Sequence, residues 1–330
     1  MKSIKKRLNA FTIVELIVVI TVIGILATIA IVGYGGWMKS VTESQIKSDL
    51  ISAATAMENY RSFNGSYPTN DTIPNTFTPS SGVAVARLVT DSSTYIISGR
   101  NSDFSISYTV SNTSPTPAKL NDGLVGWWKL NGDASDASGN SNNGTFSTTP
   151  PASVVDKLGT ANKAYSFNGT SQSIHFGDKA AYDSPELTLS AWIKPASVTG
   201  SQNILAKEGQ YKYRLSGADL SILASPNGQG WYNSCYDVYP TNFTVNSWYH
   251  VVAIISSKDL KISAYVDGVK KGLSCVLSGP ITAYNSTNPL YAAAYAPTSE
   301  MFNGVLDDLR VYNRALSEIE IKVLFSYGPS

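Results

Sequence analysis

The chain has little of three things on which many proteins rely: charge, cysteine and histidine. Charged residues make up 15% of its 330 residues, and it contains two cysteines and two histidines. Two cysteines in so long a chain exclude a small disulfide-stapled scaffold, and two histidines leave little material for a zinc site. With 25 basic against 24 acidic residues, the formal net charge is +1, so no strong field attracts nucleic acid or an anionic membrane. Nucleic-acid binding is therefore not expected.

Common catalytic motifs are also missing. The sequence contains no Gly-x-Ser-x-Gly elbow and no His-Glu-x-x-His motif, which mark serine hydrolases and zinc proteases. What is abundant instead is tyrosine, with 19 residues, and glycine, with 25. Such a composition favours β-rich structure with a neutral, polar surface, and the length suits about two domains. We expect a non-enzymatic, extracellular protein.

The amino terminus has the charge pattern of an export signal. The first ten positions carry no acid and four bases, Lys2, Lys5, Lys6 and Arg7. An apolar run from Phe11 to Val32 follows, and Leu16 to Tyr34 is free of charge over 19 positions, close to the roughly 20 residues that span a bilayer. Because the bases precede this segment, the leader should stay cytoplasmic and everything after Tyr34 should be exoplasmic.

The small residue at which cleavage would occur, Ala10, lies before the apolar core, whereas a secretory signal has it afterwards. The string Ala10-Phe-Thr-Ile-Val-Glu-Leu16 resembles the class III leader of type IV prepilins and pseudopilins. The resemblance implies that a membrane-embedded prepilin peptidase removes residues 1–10 and methylates the new amine of Phe11. Ala10 replaces the glycine that is commonest there, which should slow cleavage rather than abolish it.

Glu15 is the one acid near the apolar segment, and an unpaired carboxylate within a membrane costs roughly 2.5 to 3.5 kcal/mol or more. In the family that the leader resembles, the partner is the amino terminus of a neighbouring subunit, here the amine of Phe11. The resemblance thus implies that Glu15 guides assembly with other pilin subunits in the inner membrane. The alternative is a simple signal anchor with an interfacial glutamate.

Beyond the membrane the helical pattern continues. An apolar stripe recurs at spacings of three and four residues, formed by Ile46, Leu50, Ala53, Met57 and Tyr60. We predict a stalk helix over residues 11–62, about 78 Å long at 1.5 Å per residue. Residues 63–112 should form a small pilin-like head containing a hairpin, and the Ser-, Thr- and Pro-containing residues 113–121 should form a linker.

Residues 122–330 predict a β-sandwich, because short β-rich runs alternate with Gly, Asn, Ser and Pro turns. Seven strings resemble the concanavalin A-like, laminin-G-type jelly rolls of bacterial surface proteins: Gly123–Gly132, Asp136–Gly144, Ala164–Gly169, Leu189–Pro195, Trp248–Val252, Tyr265–Gly268 and Phe302–Leu316. The fold class is thus an α+β pilin-like part, with a long hydrophobic helix and a small antiparallel sheet, followed by an all-β jelly roll. Trp192, Trp248 and His250 are interpreted as structural strand residues.

Related folds include glycoside hydrolases, whose retaining members need two carboxyl groups about 5 to 5.5 Å apart. No Glu-x-Asp-x-x-Glu string is present, and Glu186, Glu208 and Glu300 stand singly beside turns. The absence of a paired acid strengthens the prediction that this domain is not an enzyme.

A structural Ca²⁺ is one possible cofactor. Asp136, Asn140 and Asn142 form an oxygen-rich loop, Asp307 and Asp308 add carboxylates near the carboxyl terminus, and Ca²⁺ takes six to eight oxygen ligands. Related sandwiches often carry calcium, and Asp136 with Asp308 is the preferred pair. The alternative is that this loop uses its side chains to cap its own backbone.

An aromatic-rich segment is the candidate ligand site. It contains Trp231, Tyr232, Tyr236 and Tyr239, and clustered rings can stack on sugars. Cys235 and Cys275 are the only possible internal disulfide, which would close about 41 residues and contribute roughly 3 to 4 kcal/mol. The alternative is that these rings pack the sandwich.

Three functions fit the sequence. The first is a type IV pilus subunit that starts as a single-pass membrane protein, enters an extracellular fibre and displays a lectin-like domain for adhesion to glycans or surface proteins. The second is a pseudopilin of a type II secretion or DNA-uptake machine, with the sandwich as a recognition or tip module. The third is a signal-anchored receptor or enzyme that does not polymerise.

Overall fold

The computed structural model describes residues 13–70, 72–74, 77–88, 92–102, 104–225, 235–239, 241–277, 287–296 and 299–328. Its first element is α1, one α-helix from Ile13 to Asn64, which confirms the long helix predicted from the sequence. The helix ends because Gly65 adopts φ +74° and its N–H donates to the carbonyl of Arg61 at 2.8 Å. Glycine makes this left-handed cap without strain.

A small antiparallel sheet packs on the second half of α1. Its strands, in the order β1-β2-β3-β4, are β1 (Ala84–Arg87), β2 (Ile96–Arg100), β3 (Ser107–Ser111) and β4 (Ser114–Lys119). The predicted hairpin corresponds to β2 and β3. Ile46, Leu50, Ala53 and Met57 are fully buried against this sheet, whereas Tyr60, which the predicted stripe includes, is 36% exposed.

The predicted linker is instead part of this head. Within residues 113–121, Ser114–Lys119 forms β4 and pairs with β3, with Tyr108 opposite Lys119 and Thr109 opposite Ala118. Prolines 115 and 117 suggest a linker in the sequence, but proline is tolerated on an edge strand, where its missing N–H is not needed by a second neighbour. An ion pair of 2.7 Å between Lys119 Nζ and Glu43 Oε1 ties β4 to α1.

The rest of the described chain forms a sandwich of two antiparallel sheets. One sheet has the order β17-β16-β15-β10-β19-β8-β7, and β5 also pairs with β19; the other has the order β14-β13-β12-β11-β18-β9-β6. The first nine strands are β5 (Leu124–Trp128), β6 (Thr145–Phe146), β7 (Ala152–Val154), β8 (Ala164–Asn168), β9 (Ile174–His175), β10 (Glu186–Pro195), β11 (Ser201–Lys207), β12 (Tyr211–Ser216) and β13 (Asp219–Ala224). The others are β14 (Cys235–Tyr239), β15 (Tyr249–Ser256), β16 (Lys261–Val266), β17 (Val269–Val276), β18 (Leu290–Ala292) and β19 (Asn303–Tyr312).

Two local predictions are confirmed around the sandwich. Asp267 and Gly268 join β16 to β17 with φ of +51° and +75°, as a two-residue hairpin turn requires. The last element, α2 (Glu318–Tyr327), begins with a capping box in which the Ser317 side chain accepts from the Glu320 N–H. A Glu320 carboxylate oxygen in turn accepts from the Ser317 N–H at 2.9 Å.

The two faces of the β10 sheet bury different partners. Leu187, Leu189, Ala191 and Ile193 point into the core between the sheets. The opposite face is covered by α2 and by the head, in a cluster formed by Ile96, Leu120, Leu124, Trp127, Val252, Ile254, Tyr265, Tyr312, Leu316, Ile321, Val323 and Leu324. The head and the sandwich therefore share this apolar cluster, in addition to the separate core of each.

Polar contacts lock the same joint. The Arg314 guanidinium donates to the Asp122 carbonyl at 2.6 Å and forms an ion pair of 2.5 Å with Glu320. At the other end of α2, the hydroxyls of Tyr327 and Ser107 are 2.8 Å apart, and the Tyr327 ring packs edge-on against Phe104. Helix α2 thus holds the head against the sandwich.

We expect the head and the sandwich to unfold together, and Arg314→Ala to uncouple them. The substitution removes the hydrogen bond from the Arg314 guanidinium to the Asp122 carbonyl. It also leaves Glu320, which is 7% exposed, without its cation. We expect the free energy of unfolding to fall by about 1.5 to 3 kcal/mol. Calorimetry of the full chain in detergent checks this: one transition for the natural chain and two for the variant. Lys322→Ala, at an exposed position of the same helix, is the control, and two transitions in the natural chain would contradict the shared cluster.

Candidate functional site

The first half of α1 is an apolar rod that the head does not cover. Large aliphatic side chains are exposed around the whole helix from Ile13, at 78%, to Leu26, at 59%. Its few hydroxyls are satisfied within the helix, since Thr21 and Thr28 each donate to the carbonyl four residues earlier at 2.8 Å. A surface of this kind suits apolar surroundings, in which every polar group must be satisfied internally.

Within the described part of the chain, no helix has the length and apolarity that crossing a membrane requires.

Glu15 lies in the first turn of α1, where a helix N-terminus favours a carboxylate, and it is exposed. Its predicted partner, the amine of Phe11, and the predicted cleavage residue Ala10 lie outside the described residues. The docking role of Glu15 therefore stays a prediction.

A row of buried polar and aromatic side chains lies beneath α2. Across β19, β10 and β15, Asp307 is opposite Trp192 and Trp192 is opposite His250. The Trp192 ring stacks on Phe325 with centroids 5.8 Å apart, and Nζ of Lys157 sits 3.6 Å from the Trp192 ring centroid. Trp192 is therefore buried and not accessible to a soluble ligand.

The two titratable groups of this row have shifted pKa values. Burial lowers the pKa of His250 to about 3, and its Nε2 is 2.9 Å from the Ser190 hydroxyl. Burial, helped by the charges of Asp308 and Asp156, raises the pKa of Asp307 to about 9. The backbone N–H of Asp308 and the charge of Arg310 act in the opposite sense and are outweighed. Both groups are thus neutral at pH 7.

We expect Asp307→Asn to stabilise the fold, and the gain to grow between about pH 4 and pH 9. In that interval the unfolded chain has lost the Asp307 proton and the folded chain keeps it, so the natural chain loses up to about 1.4 kcal/mol per pH unit from this group. Asparagine, which does not titrate, avoids that loss. Urea unfolding of both chains across this range measures the difference.

The neighbouring substitution Asp308→Asn is the matched control. It weakens the buried ion pair with Arg310, which joins Asp308 Oδ2 to Nη2 at 2.9 Å, and should destabilise the fold at neutral pH. A constant difference between Asp307→Asn and the natural chain at every pH would show that Asp307 is ionised in the fold.

The predicted calcium pair is engaged by protein donors. The Asp136 carboxylate accepts from the N–H groups of Trp127, Ser138 and Asn142 at 2.8 to 2.9 Å, and from the Ser138 hydroxyl at 2.8 Å. Asp308 accepts from the Trp127 indole as well as from Arg310. The two acids therefore hold Trp127 at its backbone and its ring, and their oxygens already face N–H and O–H groups.

Calcium does not fit this arrangement, because a cation would have to displace four donors from Asp136 and an arginine from Asp308. Among the described residues, no group of three or more His, Cys, Asp or Glu could hold a metal ion. The geometry agrees with the alternative reading, in which the Asp136 loop caps its own backbone.

The aromatic segment predicted to bind ligand is described only in part. Trp231 and Tyr232 lie outside the described residues, and of Tyr236 only the backbone is placed, on β14 opposite Leu223. Tyr239 is buried at 1% exposure, and its hydroxyl donates to the Ile262 carbonyl at 3.0 Å. Tyr239 therefore packs the core, because it pairs with Leu220 on the inward face, and its assignment to a binding rim is corrected.

The predicted disulfide would join the edge strands of the two sheets. Cys235 lies on β14 and Cys275 on β17, and their side chains fall outside the described part of the chain. The Cys235–Cys275 bond stays a prediction.

The outer face of the β14-to-β6 sheet carries polar side chains that the sequence analysis missed. Strand register aligns Thr145, His175 and Tyr291, and Tyr291 is followed across β11 and β12 by Ala206 and Lys212. Next to this row a groove of about 500 Å³ opens. We call it the hydroxyl groove; its lining includes Thr145, Phe146, Ser147, Ser173, His175 and Tyr291. Its residues come from segments far apart in sequence, so only the fold assembles them.

A charged cluster borders the same face. Glu300 accepts from Lys212 at 2.9 Å, from Arg214 at 3.0 Å and from Asn203 at 2.8 Å. Burial raises the pKa of Glu300, but the hydrogen bonds from Asn203 and Lys212 and the charges of Lys212 and Arg214 outweigh it, so the net shift is downward. The alternation Lys212-Tyr213-Arg214 indicates that both cations share a face of β12, but nothing in the sequence links them to Glu300.

A larger groove, of about 670 Å³, lies where the head meets the start of α2. Several of its charged residues are already paired, because Lys119 pairs with Glu43 within the head and Arg314 pairs with Glu320 at the start of α2. It belongs to the interface between head and sandwich.

Comparisons with known proteins agree with both halves of this structure. Residues 5–31 match the prokaryotic N-terminal methylation motif, and residues 168–322 match the concanavalin A-like lectin/glucanases superfamily. Over 67 residues the chain is 31% identical to the type II secretion system core protein G of Aeromonas hydrophila, covering 20% of this chain and 47% of that protein. The chain thus spans about half the length of this relative.

Part of this chain is also similar to solved structures. The binding domain of Paraclostridial Mosquitocidal Protein 1 is 19% identical with a TM-score of 0.49, over 63% of this chain and 53% of that one. Domain 4 of the arabinanase AbnA from Geobacillus stearothermophilus, solved with arabinotriose, is 20% identical with a TM-score of 0.45, over 61% of this chain and 97% of that one.

The predicted fusion is therefore confirmed: a pilin-type N-terminal methylation motif and long helix precede a lectin-like β-sandwich. The family match begins at residue 168, whereas the sandwich of the structure begins at β5, with Leu124.

Proposed function

We propose that this protein is a pilin-like subunit that assembles through α1 and displays its sandwich outside the cell for adhesion to glycans or surface proteins. The observation that carries the proposal is the uncovered apolar half of α1, which continues without a break into a helix packed under the head. An exposed apolar helix of this length is unfavourable in water, since removing apolar surface from water contributes about 25 cal/mol of free energy per Å². Membrane lipid before assembly, and the helices of other subunits afterwards, would cover it.

The order of events follows from the amino terminus. A prepilin peptidase would cleave between Ala10 and Phe11 and methylate the new amine. Glu15, four residues further on, would then pair with that amine in a neighbouring subunit. Such a pair contributes alignment more than affinity, because buried ion pairs often only balance their desolvation. No step of this function requires catalysis by the chain itself.

One observation favours the second candidate, a pseudopilin. The curated relative over the N-terminal region is a core protein of a type II secretion system. In that case the same helix would assemble into a short structure in the cell envelope, and the sandwich would serve as a recognition module. Location separates the two candidates, since a pilus subunit occurs in fibres that can be sheared from cells.

N-terminal analysis of the native protein tests the proposal directly. We expect intact mass and sequencing of sheared surface material to give a chain that starts at N-methylated Phe11. The membrane fraction should contain the same processed chain. The processed chain in envelope fractions but never in sheared fibres would support the pseudopilin. An unprocessed chain starting at Met1 would refute both and support a non-polymerising anchored protein.

Glu15→Ala should yield a chain that is processed and membrane-bound but absent from fibres, because docking loses its charge pair. Immunoblots of sheared and membrane fractions from cells producing the variant would measure this. Glu58→Ala removes a carboxylate at the far end of the same helix and is the control, expected to enter fibres normally. Incorporation of Glu15→Ala at the natural level would eliminate the docking role.

A further inference from the structure

We propose that the hydroxyl groove is where the sandwich binds a neutral sugar residue. This inference rests on the proposed adhesive function and names the ligand class and the place.

Two rings form one wall of the groove. His175 and Tyr291 are cross-strand neighbours, with ring centroids 5.3 Å apart and planes at 64°. His175 is exposed and Tyr291 is half-buried, so ring surface remains accessible. Exposed aromatic rings provide rigid apolar area that stacks on the C–H face of a sugar. Burial and the charge of Glu208 raise the pKa of Tyr291, so its hydroxyl keeps its proton and can donate.

The rest of the lining offers hydroxyl groups and no formal charge. Of the nine described residues around the groove, six are Ser or Thr and none is Asp, Glu, Lys or Arg. Sugar hydroxyls both donate and accept hydrogen bonds, as serine and threonine hydroxyls do. The two cations on the outer face of β12, Lys212 and Arg214, are held by Glu300, and Lys212 lies two strands, about 10 Å, from Tyr291. The groove therefore fits a neutral sugar better than an acidic one.

The groove is held in shape by its own contacts. The Ser147 hydroxyl donates to the Thr149 carbonyl at 2.9 Å and accepts from the Ser173 N–H at 3.2 Å. Just after β9, Asp178 forms an ion pair of 2.6 Å with Lys207, whose side chain is fully buried. Preformed walls reduce the entropy that a ligand loses on binding.

The fold favours a sugar over an extended peptide here. β6 is the edge of its sheet but has only two residues, too few for a peptide to add as a further strand. The groove also lies on the outer face of the β14-to-β6 sheet, the side of the sandwich opposite α2 and the head. It therefore stays accessible when α1 is covered by other subunits.

The test measures binding of the full-length chain, purified in detergent, to neutral trisaccharides of glucose, galactose, mannose, xylose and arabinose, with sialyllactose as the acidic comparison. We expect at least one neutral trisaccharide to bind. For that sugar, Tyr291→Ala should raise Kd by about tenfold through loss of stacking, while Tyr291→Phe should stay within about threefold. Thermal unfolding of each variant confirms that the fold is intact, and His175→Ala is the second variant of the same wall.

Three results would overturn the assignment. Unchanged affinity in both Tyr291→Ala and His175→Ala, with loss of affinity in Tyr236→Ala, would move the site to β14. Tighter binding of sialyllactose than of every neutral sugar would refute the neutral ligand. No binding of any sugar would remove the groove as a glycan site, and because fibre incorporation is measured separately, the pilin-like assembly could still be judged on its own.

Discussion

The outer face of the sheet containing β10 has to be covered, and most of the architecture follows from how that is done. This face carries Val252, Ile254 and Tyr312, together with the buried row of Asp307, Trp192 and His250. Exposed, it would be a large apolar patch of the kind that drives association. Helix α2 covers it, and Ile96 and Leu120 of the head complete the cover.

Because α2 and the head cover this face, the sandwich packs directly on the head and is not joined to it by a flexible linker. Most of the predicted linker, Ser114–Lys119, forms β4, and Arg314 and Tyr327 secure the joint from the two ends of α2. A force on a ligand bound to the sandwich would then reach α1 through packed residues and not through a flexible linker. The head occupies one side of the sandwich, and the proposed sugar groove lies on the outer face of the other sheet.

The polar groups beneath α2 make the stability of the joint between the head and the sandwich depend on pH. His250 stays neutral down to about pH 3, so the fold loses stability through this group as the pH falls below the ordinary histidine value of about 6.5. Asp307 acts in the opposite sense between about pH 4 and pH 9. The two effects oppose each other between about pH 4 and 6.5, so in that interval the joint depends less on pH than either group does by itself.

The sequence predicts what depends on local pattern and misses what depends on register between distant strands. The helix, the Asp267-Gly268 turn and the Ser317 capping box each depend on residues only a few positions apart, and the sequence predicts each of them. Pro115 and Pro117 suggest a linker because their place on a sheet edge is invisible locally. His175 and Tyr291 are 116 positions apart, and only the pairing of β9 with β18 makes them neighbours. Register also decides the position of Tyr239: its aromatic ring stands out in the sequence, yet its place opposite Leu220 on β13 turns it into the core. A ligand surface on a sheet is defined by which residues share a row, and a row is a property of the fold.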